Sequence, residues 1–144
     1  MKKIALALLC VFATGSAAAQ TYACQFIMQA GMNKDPKSGW KVGQFNVQEP
    51  FFLTMSNGSI DPKSFGTGDM QLVMSPLDSK CSKSEYDNPK LGRIQFCADE
   101  TSHLSFSEKT LNGGLAVMMG ALQSASDTDV DSVTVARFKC QKVR

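Results

Sequence analysis

The strongest constraint on this chain is a hydrophobic pattern of period two, repeated in short runs that end in turn residues. Tyr22, Cys24, Phe26 and Met28 alternate with Ala23, Gln25 and Gln29. Trp40 and Val42 share one parity while Phe45 and Val47 share the other, which predicts a bulge near Gly43. Residues 51–55 are apolar and run into Asn57-Gly58, a pair that tolerates the positive φ of a two-residue hairpin turn. Met70, Leu72 and Met74 alternate next, and residues 93–97 set Ile94 and Phe96 against Gln95 and Cys97. Leu104 and Phe106 form a short run after the polar turn 99–102. Val133 and Val135 then differ in parity from Phe138 and Cys140, which predicts a second bulge near Arg137. Leu115, Met118, Met119 and Leu122 have the spacing of a helix face, yet Leu115, Val117 and Met119 also alternate behind Asn112-Gly113-Gly114. A strand is favoured there, with a short helix over 115–122 as the alternative. The whole pattern predicts an all-β antiparallel meander closing into a small barrel or sandwich. The polar stretches 33–39, 57–69 and 75–92 are expected to be loops.

With 144 residues, the chain has room for a single domain. Residues 1–19 have the parts of an export signal: Lys2-Lys3, an apolar middle over 4–13, and Ala17-Ala18-Ala19 before the cleavage point. Ten apolar residues make a helix of about 15 Å, half the thickness of a bilayer core, so an anchor is disfavoured. Cys10 lies inside the apolar stretch after Leu8-Leu9, where a lipidation site would need small residues. Cleavage leaves a β domain over 20–144 and, with Lys2 and Lys3 gone, 13 basic residues of the original 15 against 13 acidic ones. A chain of near-zero charge with no basic run argues against nucleic acid or an anionic membrane as partner. The expected location is the periplasm or the exterior of a bacterial cell.

Cys24, Cys81, Cys97 and Cys140 remain after processing, an even number suited to an oxidising compartment. A four-thiolate zinc site is disfavoured, because no two of these lie closer than sixteen positions. Parity assigns the two disulfides. Cys24 shares a face with Tyr22 and Phe26, and Cys140 with Phe138, so Cys24–Cys140 would join the terminal strands. Cys97, pointing away from Ile94 and Phe96 toward the surface, would meet Cys81 from the neighbouring loop.

No catalytic set stands out, and no enzyme activity or cofactor is expected. His103 is the single histidine; Ser102, Ser105 and Asp99 lie near it, but no G-x-S-x-G nucleophile turn is present. Ser38-Gly39-Trp40-Lys41 has S-x-x-K spacing at a strand entrance rather than on a helix. Asp127, Asp129 and Asp131 open like an EF-hand loop, which then lacks its glycine and glutamate, so no metal is expected. The methionines could suit cuprous copper, but Met70 and Met74 share a parity with Leu72, as a core face would.

Tyr22-Ala23-Cys24 at the start of the mature chain and Phe138-Lys139-Cys140 near its end resemble the frame of small exported β-barrel proteins of proteobacteria, a family of unknown function. The layout is similar to that of the periplasmic C-type lysozyme inhibitors. The resemblance covers the two ends, the size and the export signal; the inhibitors' W-x-K-G-x-E-A-type segment is absent, so no functional residue carries over. It implies a barrel; a protein partner is expected from the rigid β frame, the long polar loops and the lack of a catalytic set. The expected function is a non-enzymatic binding module of inhibitor or immunity type. Its contacts would come from 33–40 or 75–88, with Lys37, Trp40, Lys80, Lys83 and Tyr86 as candidates. The alternative is a barrel whose interior holds a small apolar ligand.

Overall fold

The computed structural model describes residues 19–35, 37–44, 49–66, 70, 74–118 and 132–143, with only the backbone of Lys34, Asp35, Gln44 and Ser132. Among the described residues, nine strands form one antiparallel sheet: β1 (Gln20–Asp35), β2 (Gly39–Gln44), β3 (Phe51–Ser56), β4 (Ser59–Ile60), β5 (Lys80–Lys83), β6 (Ile94–Ala98), β7 (Ser102–Ser107), β8 (Asn112–Val117) and β9 (Ser132–Lys142). Strands β5 to β9 are a meander in sequence order, β9 pairs with β1, and β1 carries both β3 and β2 on its other edge. The β3–β4 hairpin lies against β5 and β6, so the sheet curls into a nearly closed barrel. A 3-10 turn at Pro62–Gly66 packs against β3 and buries Phe65. Among the described residues, no helix is long and apolar enough to cross a membrane.

Local chemistry accounts for the turns. Asn57 and Gly58 adopt φ of 54° and 79°, and Ser56 pairs with Ser59, giving the two-residue hairpin expected of Asn-Gly. The polar stretch 33–39 is less of a loop than its composition suggests. β1 runs through to Asp35 and β2 starts at Gly39, whose φ of 76° completes a tight hairpin. The stretch 57–69 likewise holds β4 and the 3-10 turn, and 75–92 holds β5.

The bulge near the chain end falls on the other strand of its pair. The register between β1 and β9 slips between Phe26 and Met28, so the extra residue is Ile27 of β1, opposite an unbroken β9. Thr134, Ala136, Phe138 and Cys140 all point inward, leaving Val135 on the outer face. Reading Val133 and Val135 as core residues is what produced the expected break at Arg137. Ile27 has the same effect on β1: Tyr22, Cys24 and Phe26 are buried, while Met28 and Met32 are exposed. Strand β2 passes through Gly43 without a break; Phe45 and Val47, with which its predicted bulge was paired, lie outside the described residues.

Both disulfides form as predicted, Cys24–Cys140 and Cys81–Cys97, each between directly opposed residues of neighbouring strands. The orientation expected for Cys97 is wrong. On β6 it is Gln95 and Cys97 that are buried, whereas Phe96 is 45% exposed. Hydrophobicity misassigned this face because the barrel seam requires a polar inward residue at Gln95. Met70 and Met74 are both buried, and Met74 N donates to Met70 O at 2.8 Å; Leu72, which completes the expected alternation, lies outside the described residues. Val117 and Leu115 are inward residues of β8, which settles 112–117 as strand; Met119, Leu122 and the aspartates 127, 129 and 131 lie outside the described residues.

Aromatic rings fill the interior. Phe138 meets Phe51 edge-on at 5.2 Å and Phe26 at 6.0 Å, Phe26 lies 4.9 Å from Phe51, and Tyr22 meets Phe106 at 5.2 Å. Phe138 can sit so deep because its cross-strand partner is Gly113, and the ring occupies the space a side chain would need there. Leu53, Met55, Leu104 and Leu115 complete a contiguous core.

Candidate functional site

Residues 75–92, which include β5, are held to the barrel by side-chain and backbone hydrogen bonds. Ser75 starts the stretch with a turn: its Oγ accepts from Leu77 N at 3.3 Å and Asp78 N at 3.2 Å and donates to Asp78 Oδ2 at 2.8 Å. This is a Ser-x-x-Asp turn closed by Ser79 N to Ser75 O at 3.0 Å. Asp99, in the β6–β7 turn, accepts from Ser75 N at 3.0 Å through one oxygen and from Thr101 N and Ser102 N through the other. One carboxylate thus ties the start of the loop to the sheet.

The far half is fixed the same way. Asn88 Oδ1 accepts from Lys90 N at 2.9 Å and Leu91 N at 3.1 Å, while Asn88 and Gly92 exchange backbone hydrogen bonds. Gly92 needs its φ of 69° to do this. Ser84 Oγ accepts from Ile94 N at 3.0 Å and donates to Tyr86 O at 2.9 Å, Ser107 Oγ donates to Leu91 O, and Lys109 Nζ donates to Pro89 O at 2.7 Å. Between the halves, Cys81–Cys97 locks β5 to β6. On this fixed backbone stand three exposed apolar side chains: Leu77 at 91%, Tyr86 at 69% and Leu91 at 44%.

A polar cluster underlies the surface. Glu108, in the β7–β8 turn, accepts from Gln95 Nε2 at 2.9 Å, from Tyr22 Oη at 3.4 Å and from Lys83 Nζ at 3.5 Å. Gln95 Nε2 also donates to Gly58 O at 3.1 Å, and so stitches β6 to the β3–β4 hairpin at the seam. Burial, followed by the Glu108 charge and hydrogen bond, pushes the Tyr22 hydroxyl above its ordinary value of 10.0. Lys83, Arg93 and Lys109 share an open depression of about 480 Å³ with Asp87 and Glu108, so its charges alternate in sign.

Of the five predicted contact residues, Lys80, Lys83 and Tyr86 fall together on β5 and the loop after it. Lys37 and Trp40 lie apart from them, exposed on the β1–β2 hairpin. Trp40 sits on the outer sheet face, opposite Lys34 of β1. Leu77, Leu91 and Glu108 were missed. The signal for Leu77 was present, since a leucine inside Ser-Pro-Leu-Asp has no neighbouring apolar run to join. Glu108 carried none, because its partners come from three separate strands.

The residues around His103 do not assemble. Ser102 is fully buried on the inward face of β7 and His103 is exposed on the outward face, while both Asp99 oxygens serve backbone amides. No cluster of three potential metal ligands occurs among the described residues. Two disulfides in so small a barrel fit an oxidising compartment. No family model matches the chain, and comparisons with curated proteins and with solved structures returned no match.

Proposed function

We propose that this chain is an exported, non-enzymatic binding module that recognises a protein partner, of inhibitor or immunity type, through residues 75–92. A signal over residues 1–19 would deliver it to the periplasm or the exterior, where the disulfides form. One observation carries the reading: Leu77, Tyr86 and Leu91 are exposed on a backbone that a disulfide and paired side-chain hydrogen bonds hold still. A loop ordered beforehand loses little entropy on binding, so its exposed anchors contribute most of their burial to affinity. Lys80 and Lys83 at the margin favour a partner with acidic residues around an apolar centre. The aromatic packing of the interior favours surface recognition over the alternative of a small apolar ligand held inside.

Immobilised oxidised protein should retain a partner from envelope extract, or lysozyme itself, and the Leu77→Asp and Tyr86→Ala variants should release it. Retention that is unchanged in both variants, or no retention of any protein by the native chain, rejects the proposal. A ligand adduct in the native mass spectrum of fresh protein would favour the small-ligand alternative.

A further inference from the structure

The outer face of the sheet, away from residues 75–92, is apolar over four adjacent strands. Registers place Val42 of β2 beside Met32 of β1, and Met32 beside Val133 of β9. One row along, Ala30 pairs with Val135, and Val135 with Ala116 of β8. The Ile27 bulge creates this face, because it turns Met28 and Met32 outward from a strand whose first half points its apolar residues into the core. Exposure reaches 84% at Val42, 56% at Met28, 53% at Val135, 45% at Trp40 and 41% at Met32. Charged and polar positions fall at its margins: Lys34 beside Trp40, Arg137 beside Met28, Gln44 beside Ala30 and His103 of β7 beside Ala116.

With whole-residue areas of about 150–250 Å², the exposed apolar side chains of this patch present roughly 600 Å². That reaches the upper end of what monomers usually expose in one patch. Half-buried Ala30, Ala116 and Val133 add on the order of 100 Å², which puts the patch in the lower part of the roughly 600–1,000 Å² per partner of a standard interface. We propose that this face is an interface between two copies of the chain, packed sheet on sheet about a two-fold axis.

Composition selects a second copy over a different partner. Interfaces between unlike proteins are about as polar as the remaining surface, whereas homodimer interfaces are more apolar, as this patch is. Balanced charge in the mature chain removes long-range repulsion between copies. Alternating side chains on two such faces interdigitate at a separation of about 10 Å, and a two-fold axis makes one patch its own complement. The proposal is independent of the partner-binding surface, which stays open on each protomer.

Sedimentation of the oxidised mature protein over micromolar to millimolar concentration is the test. A reversible dimer is expected. Val42→Lys and Val135→Lys, both at exposed positions, should each raise the dimer dissociation constant by at least about tenfold without changing the melting temperature of the monomer. Leu77→Asp should leave the dimer intact. A monomer throughout the range, or a dimer indifferent to both lysine substitutions, overturns the proposal. So does co-sedimentation of monomeric protein with phosphatidylcholine vesicles, which would make the face a lipid contact.

Discussion

Of Gly39, Gly43, Gly58, Gly66, Gly92, Gly113 and Gly114, Gly113 has the least room for a side chain, and replacing it with alanine gives a sharp prediction. A Cβ on Gly113 would enter the edge of the Phe138 ring and lie 2.6 Å from the Ser105 carbonyl oxygen. The oxygen belongs to the backbone of the paired strand β7 and cannot withdraw cheaply. Phe138 is fully buried and held by Phe26, Phe51 and Phe106, so it cannot swing aside without loosening three ring contacts. Overpacking of this kind costs about 1–3 kcal/mol, and each weakened aromatic pair adds about 0.5–1.5 kcal/mol. Alanine regains about 0.5–1 kcal/mol through the lower entropy of its unfolded chain. At mid-range values with one ring pair weakened, the net expectation for Gly113→Ala is a loss of about 2–3 kcal/mol, or roughly 8–12 °C in melting temperature for a domain of this size. The adjacent Gly114→Ala is the control: its new Cβ would make only ordinary contacts, at 3.6 and 3.7 Å, and its effect should be within about 0.5 kcal/mol. Denaturant unfolding of both variants, and of Gly113→Ala combined with Phe138→Leu, completes the assay. The double variant should lose at least about 1 kcal/mol less than the sum of its parts, because a smaller residue vacates the contested space. Gly113→Ala as stable as the native chain, or additive losses in the double variant, would refute the packing argument.

The two disulfides should contribute unequally, because they close loops of different length. With sequence separations of 116 and 16, removing Cys24–Cys140 by paired alanine substitutions should cost about 5 kcal/mol and removing Cys81–Cys97 about 3 kcal/mol, read by denaturant unfolding. Tyr22 should titrate above the ordinary tyrosine value, because burial first and Glu108 second favour its neutral form. Its contribution to stability is therefore complete below pH of about 10 and is lost as pH rises from there through the raised folded value. With Tyr86→Phe, Tyr22 is the sole tyrosine, and its near-ultraviolet absorbance follows the titration; Glu108→Gln should lower the midpoint while leaving it raised.

Period-two patterning made most of the strands and the Cys24–Cys140 pairing legible, and Asn57-Gly58 marked its own turn; β4 and β5 fell in stretches that read as loops, and Cys81–Cys97 was paired correctly from an inverted orientation of Cys97. What it hid were features that depend on the partner strand. A parity change between Val135 and Phe138 looks the same whether the extra residue lies in β9 or opposite it, and only the register with β1 assigns it to Ile27. The inward direction on β6 was inverted for a related reason. Gln95 is buried because Glu108 and Gly58 supply acceptors for its amide, and neither is near it in sequence. The candidate surface divided along the same line: Lys80, Lys83 and Tyr86 were visible as a polar stretch beside a cysteine, and Leu77 carried a signal in Ser-Pro-Leu-Asp that went unread, whereas the exposure of Leu91 emerges only once the loop is folded.

Peptide mapping of the protein recovered from its host, with thiols blocked before digestion and no reductant, puts the foundation of this account to the test. Linked peptides joining Cys24 to Cys140 and Cys81 to Cys97, on a chain that starts at Gln20, are the predicted result. Blocked thiols at these four positions, or crossed linkages, would contradict it.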